Sequence, residues 1–297
     1  MKEKWDAMTR RDFMRGTAYA GLGAVLGLGA DTGGKDDMSG TAKVILIRDE
    51  HALTEDLKPN AEVLQKMLDR AVGELLNEKD VSRAWKMLVR PSDIVGIKTN
   101  VWGKLHTPKE LEEAMQRRLL EAGIGQSNIR IDDREALKRL GDCTALINVR
   151  PLRTHHWAGV GGCIKNYIMF VPKPFEYHDD VCADLGAIWN LPIVKGKTKL
   201  NVLVMLTPQF YGKGPHNFDD RYVWDYRGLL VSTDPVAVDA AGVSILEAKR
   251  RIYFNEDRPL KPLTKHIAYA ETRHKIGISD MSRITIVKVG STKDILI

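Results

Sequence analysis

Short apolar runs alternate with helix-periodic segments along most of this chain, and that alternation restricts it to one fold class. KVILIR (43–48), the apolar part of Asp93–Asn100, Ile129–Ile131, Ala145–Val149, Leu200–Leu206, Gly228–Ser232 and Ile284–Val289 read as strands. Between the first two, Leu64, Met67, Leu68, Ala71, Val72, Leu75 and Leu76 recur at helical spacing, and Asp80–Val89 reads as a second helix that Pro91 stops. Thr107 as an N-cap, with Pro108 in the first turn, predicts a helix to Ala122, and Thr233-Asp234-Pro235 predicts another to about Arg251 with Asp234 as its cap. Strands separated by helices imply an α/β fold: a mostly parallel sheet, helices on both faces, and ordered loops over the carboxyl ends of the strands. In such sheets ligands bind just beyond those ends.

One stretch gathers the reactive side chains. After the Ala145–Val149 run, which Pro151 is expected to end, come Arg150, Arg153, His155 and His156, then a glycine-rich bend (Gly159, Gly161, Gly162), then Lys165 and Asn166. Groups that move protons are thereby set beside a backbone able to approach a ligand closely. Successive side chains of an extended segment face opposite ways, so one of His155 and His156 is expected in the site and the other outside it. IVGIKTN (94–100) delivers Lys98, Thr99 and Asn100 to a second strand end. The glycines do not form a nucleotide-triphosphate loop, because Cys163 and Ile164 precede the lysine and Asn166 follows it. An anion site of backbone amides and Lys165 is the better match. Asp239 falls in the first turns of the helix after Asp234, facing either the site or a basic group. Gly212–His216 reads as a loop over the site.

Charge and cysteine content narrow the classes. The formal charge is +6, but basic and acidic residues are interspersed and no Lys/Arg run carries interleaved aromatics, so nucleic acid is not an expected partner. Three scattered cysteines (Cys143, Cys163, Cys182) without C-x-x-C supply neither a disulfide framework nor an ordinary four-cysteine iron–sulfur cluster.

At the amino terminus, Arg10-Arg11-Asp12-Phe13 precedes the weakly apolar Gly16–Ala30. This resembles a twin-arginine export signal and implies the twin-arginine machinery as a partner and a periplasmic or otherwise exported location. The segment is shorter than the roughly 20 residues a bilayer span needs, so no stable transmembrane segment is expected in the mature chain. The expected organisation is a signal segment (1–30), a polar glycine-rich linker (31–42) and one α/β domain (43–297).

His155-x-x-Ala158-Gly159-x-x-Gly162-x-x-Lys165, with IVGIKTN before it and STDPVAVDAAG (232–242) after it, resembles domain-of-unknown-function family 362 over nearly everything from Lys43 onward. Some members of that family carry an added ferredoxin-type cluster domain, whose cysteine spacings this chain lacks. The same His–Gly–Lys spacing is similar to the nickel-pincer lactate racemase. By that similarity His155 would transfer protons and Lys165 would carry a covalently attached metal-containing cofactor. Lys98 and Asn100 stand roughly where a substrate-binding arginine would lie. His178 falls near the nickel-ligating histidine, out of register with it.

Three function classes follow. The first is an exported enzyme acting on a small anionic substrate. It would use Lys165 and His155 as catalytic groups, with Lys98, Asn100, Arg153, His156, Gly159, Gly162, Asn166 and Asp234 binding substrate or cofactor and His178 as metal ligand. The second is a non-catalytic periplasmic ligand- or metal-binding protein using the same cleft. The third is an electron-transfer partner with a cluster held by Cys and His.

Overall fold

The computed structural model describes residues 40–214 and 218–297; the export motif at Arg10-Arg11 and His216 lie outside them. Among the described residues an eight-stranded mixed sheet has the order β3-β2-β4-β6-β7-β1-β8, with β5 paired to β4. The strands are β1 (Ala42–Arg48), β2 (Val95–Lys98), β3 (Ile129–Asp132), β4 (Ala145–His155), β5 (Gly159–Gly161), β6 (Thr198–Gln209), β7 (Gly228–Ser232) and β8 (Ile284–Gly290). Pairs β3/β2, β2/β4, β4/β6 and β1/β8 are parallel, whereas β7 runs against both neighbours and β5 against β4. The fold is α/β with a mostly parallel sheet, as the alternation requires. Met38–Ile297 forms one compact unit.

Alternation within each strand feeds two cores. Ile45, Ile47, Ile97, Ile147 and Val202 pack on one face with α1 (Ala61–Leu76), α2 (Val81–Leu88) and α3 (Lys109–Glu121). Val44, Leu46, Leu146, Leu203 and Leu230 pack on the other with α5 (Pro235–Phe254), reached after the one-turn α4 (Cys163–Asn166), and with α6 (Lys265–Thr272). Asn60 caps α1 by accepting from the Val63 amide at 3.3 Å, and Asn77 closes it in the left-handed region at φ 54°. Asp234 caps α5, accepting from Val236 and Ala237 at 2.8 and 2.9 Å, with Pro235 at the start of the helix.

Two sequence expectations are corrected. β4 does not stop at Pro151; it runs eleven residues to His155. Its pairing with β6 is already irregular between Pro151 and Arg153, a place where a missing amide donor is tolerated. Thr107 is not the cap of α3, because Pro108 holds that position and the Thr107 hydroxyl instead accepts from the Asn100 amide at 3.1 Å. Of the adjacent histidines His155 lines a cavity and His156 does not, as expected, although their rings stack with centroids 4.8 Å apart where the strand ends and a turn follows. Helix α6 and strand β5 had no sequence signal, β5 being three residues with two glycines.

Candidate functional site

β2 and β3 end side by side against the middle of β4, and register brings Lys98 level with Asp132 on one flank and Asn148 on the other. Beyond these ends lies a cavity of about 410 Å³ lined by Asn100, Asp133, Arg150, His155, Lys165, Asn166 and His178, with Trp102, Trp157, Met169 and Phe175 on its apolar side. A larger hollow beside β3 is lined by solvent-facing, ion-paired Arg130 and Asp142, so the chemistry concentrates in the smaller one.

The floor is a polar lattice. Lys98, fully buried, donates to Asp133 at 2.6 Å and to the Thr99 carbonyl at 2.8 Å. Burial lowers its pKa to about 8 against the opposing pull of Asp133. Burial pushes the Asp133 carboxyl upward, but Lys98, the Val101 amide and Arg150 together hold it below the usual carboxylate value. Asn166 ties α4 to the strand ends, donating to the Lys98 carbonyl at 3.0 Å, Asn148 Oδ1 at 2.9 Å and the Val149 carbonyl at 3.3 Å. Asn100 Oδ1 accepts from Arg153 at 2.7 Å.

Above that floor is Lys165, 3% exposed. Its Nζ lies 3.3 Å from His178 Nε2 and 3.8 Å from Cys182 Sγ, and among the described residues no carboxylate is bonded to it. Burial, with Arg150 nearby, lowers its pKa to about 8. Burial and then Lys165 lower His178 to about 4, so this imidazole is neutral at pH 7 and accepts from the ammonium. His155 is driven far below its ordinary value, first by burial and then by Lys165 and Arg150, and its Nδ1 accepts from the Trp157 amide at 3.2 Å. Arg150, 5% exposed, donates to the Gly162 carbonyl at 3.3 Å and keeps a buried Nε without a hydrogen-bond partner. Cys182, with Asp180 and Val181 before it, has positive φ, so the short segment facing Lys165 is in a left-handed turn that non-glycine residues adopt at a cost.

The turn bearing Lys165 is anchored from behind. Asp239 of α5, fully buried, accepts from the Cys163 amide at 2.6 Å and the Ile164 amide at 2.9 Å. Burial raises its carboxyl to about 7, against those amides and Arg150.

The structure therefore brings Asn100, His155, Lys165, Asn166 and His178 around one cavity, with Lys98 directly beneath. It places five other sequence candidates elsewhere. Arg153 is buried behind Asn100 and also donates to the Leu105 carbonyl. Asp234 is engaged by three amides, the third from Ile278 at 2.9 Å. Gly159 has φ +74° and faces the Pro262 carbonyl, and Gly162 faces the Asp239 carboxylate; both glycines make room for protein rather than line the cavity. His156 packs between His155 and Trp157, centroids 4.8 and 4.4 Å away. Of the charged lining residues, Asp133 and Arg134 were missed, and Arg150, named in the reactive stretch, was given no site role. Asp133 follows a strand as Asn100 does, and Arg150 is a charge within an otherwise apolar strand; those were the available signals. Among the described residues no group of three or more His, Cys, Asp or Glu side chains is placed to hold a metal ion by itself.

The protein is thus an α/β protein with a cationic, histidine-bearing cavity beyond the ends of β2 and β3 in a mixed sheet. The family model described as Domain of unknown function (DUF362) matches residues 95–244, from the start of β2 into α5, and the chain belongs to that family. Comparisons with curated proteins and with solved structures gave no match.

Proposed function

We propose that the protein is an exported enzyme that acts on a small anionic substrate in this cavity, with Lys165 and His155 carrying proton-transfer or redox chemistry. The observation that carries the reading is Lys165 itself. A buried ammonium without a bonded carboxylate costs several kcal/mol unless something supplies negative charge, and a bound anion does so. Arg150, with its unpartnered buried Nε, adds a second cation to the same wall. At a pKa near 8 Lys165 holds a usable fraction of free amine near neutral pH, the state needed for a nucleophile or a covalent tether. His155 lines the same cavity, and its position supports the proton-transfer role; burial and the neighbouring cations disfavour its protonation until a bound anion offsets them.

The residues fit an amine-anchored metal cofactor of the nickel-pincer type. Lys165 would hold it and His178, at 3.3 Å from the amine, would ligate its metal. Such a group, when bound, supplies an electron or hydride acceptor. The chain's own part is to hold the anion at Arg150, joined by Lys165 where that amine carries no cofactor, and to move a proton at the His155 imidazole. The twin-arginine pathway exports folded proteins, which agrees with a cofactor inserted before export.

Lys165→Met and His155→Gln separate the roles. Lys165→Met is expected to fold yet lose bound cofactor or ligand by intact mass and metal analysis. His155→Gln is expected to keep it and lose proton transfer, read as deuterium wash-in from solvent into the co-purifying ligand. Ligand retained by both variants with unchanged exchange would replace the enzyme with a non-catalytic periplasmic binding protein.

A further inference from the structure

The apolar lining of the cavity specifies more than an anion. Arg150, Lys165, His155 and His178 share it with Ile168, Met169, Pro174 and Phe175. At its edge stand three large apolar side chains open to solvent: Phe175 at 68% exposure, Trp157 at 47% and Trp102 at 40%. Trp157 lies against the His178 ring, centroids 4.2 Å apart, and so continues outward from the imidazole that touches Lys165. The Arg134 guanidinium covers one side of Trp102 at 4.4 Å.

Charge sets the head group. Lys98 and Asp133 cancel as a 2.6 Å pair. Of the remaining buried groups, Arg150, Lys165 and Arg153 are cations, Arg153 donating only to the neutral Asn100 side chain and Leu105 carbonyl. Asp239, the other carboxylate acting on Arg150, is turned to the amides of Cys163 and Ile164, so positive charge is left over, which an anion offsets. Size sets the rest. About 410 Å³ falls within the roughly 300–1,000 Å³ of ordinary small-molecule sites, whereas a two-carbon acid would occupy the polar part of it alone. A planar ring is the body that fits beside Met169 and Phe175 and reaches the tryptophans, because aromatic and thioether side chains favour ring contacts.

We infer that the ligand is an aromatic carboxylate, its carboxylate between Arg150 and Lys165 and its ring along Met169, Pro174 and Phe175 toward Trp157. The inference rests on the anion site proposed above and names the class of molecule that site takes.

Titration calorimetry of the purified full chain with benzoate, cyclohexanecarboxylate, acetate and benzamide tests it, with quenching of tryptophan fluorescence as a second readout. Benzoate is expected to bind about tenfold or more tighter than acetate and than neutral benzamide, and several-fold tighter than cyclohexanecarboxylate. Phe175→Ala, an exposed position whose truncation leaves the core untouched, should reduce benzoate affinity several-fold and leave acetate within about twofold. Lys165→Met should weaken both acids. Equal affinity for benzoate and acetate, or for benzoate and cyclohexanecarboxylate, overturns the aromatic class while leaving an anion site. Loss of all acid binding, or acid binding indifferent to Lys165→Met, instead overturns the anion reading beneath it.

Discussion

The Asp239 carboxylate occupies the space that a side chain on Gly162 would need. The glycine at the neck of the bend thus lets a residue 77 positions further along the sequence reach the amides of Cys163 and Ile164 and fix the turn that presents Lys165. Gly162 itself has φ −123° and ψ −166°, extended backbone open to any residue, so what selects glycine here is room and not conformation.

Gly162→Ala should therefore destabilise the fold by about 1–3 kcal/mol through overpacking against a buried carboxylate. Urea denaturation measures it. A variant within about 0.5 kcal/mol of wild type would mean that α5 yields easily and that Asp239 does not fix the turn.

Asp239 also predicts a pH dependence. Its carboxyl lies at about 7 in the folded protein, above the usual aspartate value near 3.9. Between those values the native state keeps a proton that the unfolded chain has released, so stability falls as pH rises through that window. Measured as the stability of wild type minus that of Asp239→Asn, which removes this titration, the difference should fall by on the order of 2–4 kcal/mol between pH 4 and pH 7.5. A difference constant across that range would show the carboxylate ionised throughout.

The Lys98–Asp133 pair, 0% and 2% exposed, is a buried salt bridge beneath the cavity. Lys98→Met strands the carboxylate and Asp133→Asn strands the ammonium, each at about 3–5 kcal/mol. The double variant leaves neither charge alone. Its cost in chemical denaturation should fall short of the sum of the singles by roughly 1–3 kcal/mol. Strict additivity would contradict the pair.

Export is tested without reference to the folded domain. Changing Arg10 and Arg11 together to Lys should leave the protein in the cytoplasm, because the paired guanidinium groups are what the resembled signal presents. Fractionation followed by immunoblotting reads the outcome. Undiminished periplasmic recovery would remove the twin-arginine route. Among the described residues no helix is long and apolar enough to cross a membrane.

The sequence by itself determined what is local in this protein. Apolar period and caps marked α1 and the Asp234-Pro235 start of α5, and the alternation of strand and helix required an α/β sheet, because such patterns report the geometry of a few consecutive residues. It also marked chemistry delivered to strand ends, at Lys98 and Asn100 and again at His155 and Lys165. Tertiary structure alone decided the strand order, the antiparallel insertion of β7 and the passage of β4 beyond Pro151, all of which depend on which strands become neighbours. The same holds within the site. Lys98 meets Asp133 across 35 positions, and Cys163 meets Asp239 across 76, because β2 and β3 end together beside β4 and α5 packs against the turn bearing Cys163. His178 reaches Lys165 across a loop with no periodic signal. One-dimensional spacing sets which side chains share a face of one element, whereas the charge balance of a buried cavity depends on groups from several elements, and only packing brings those together.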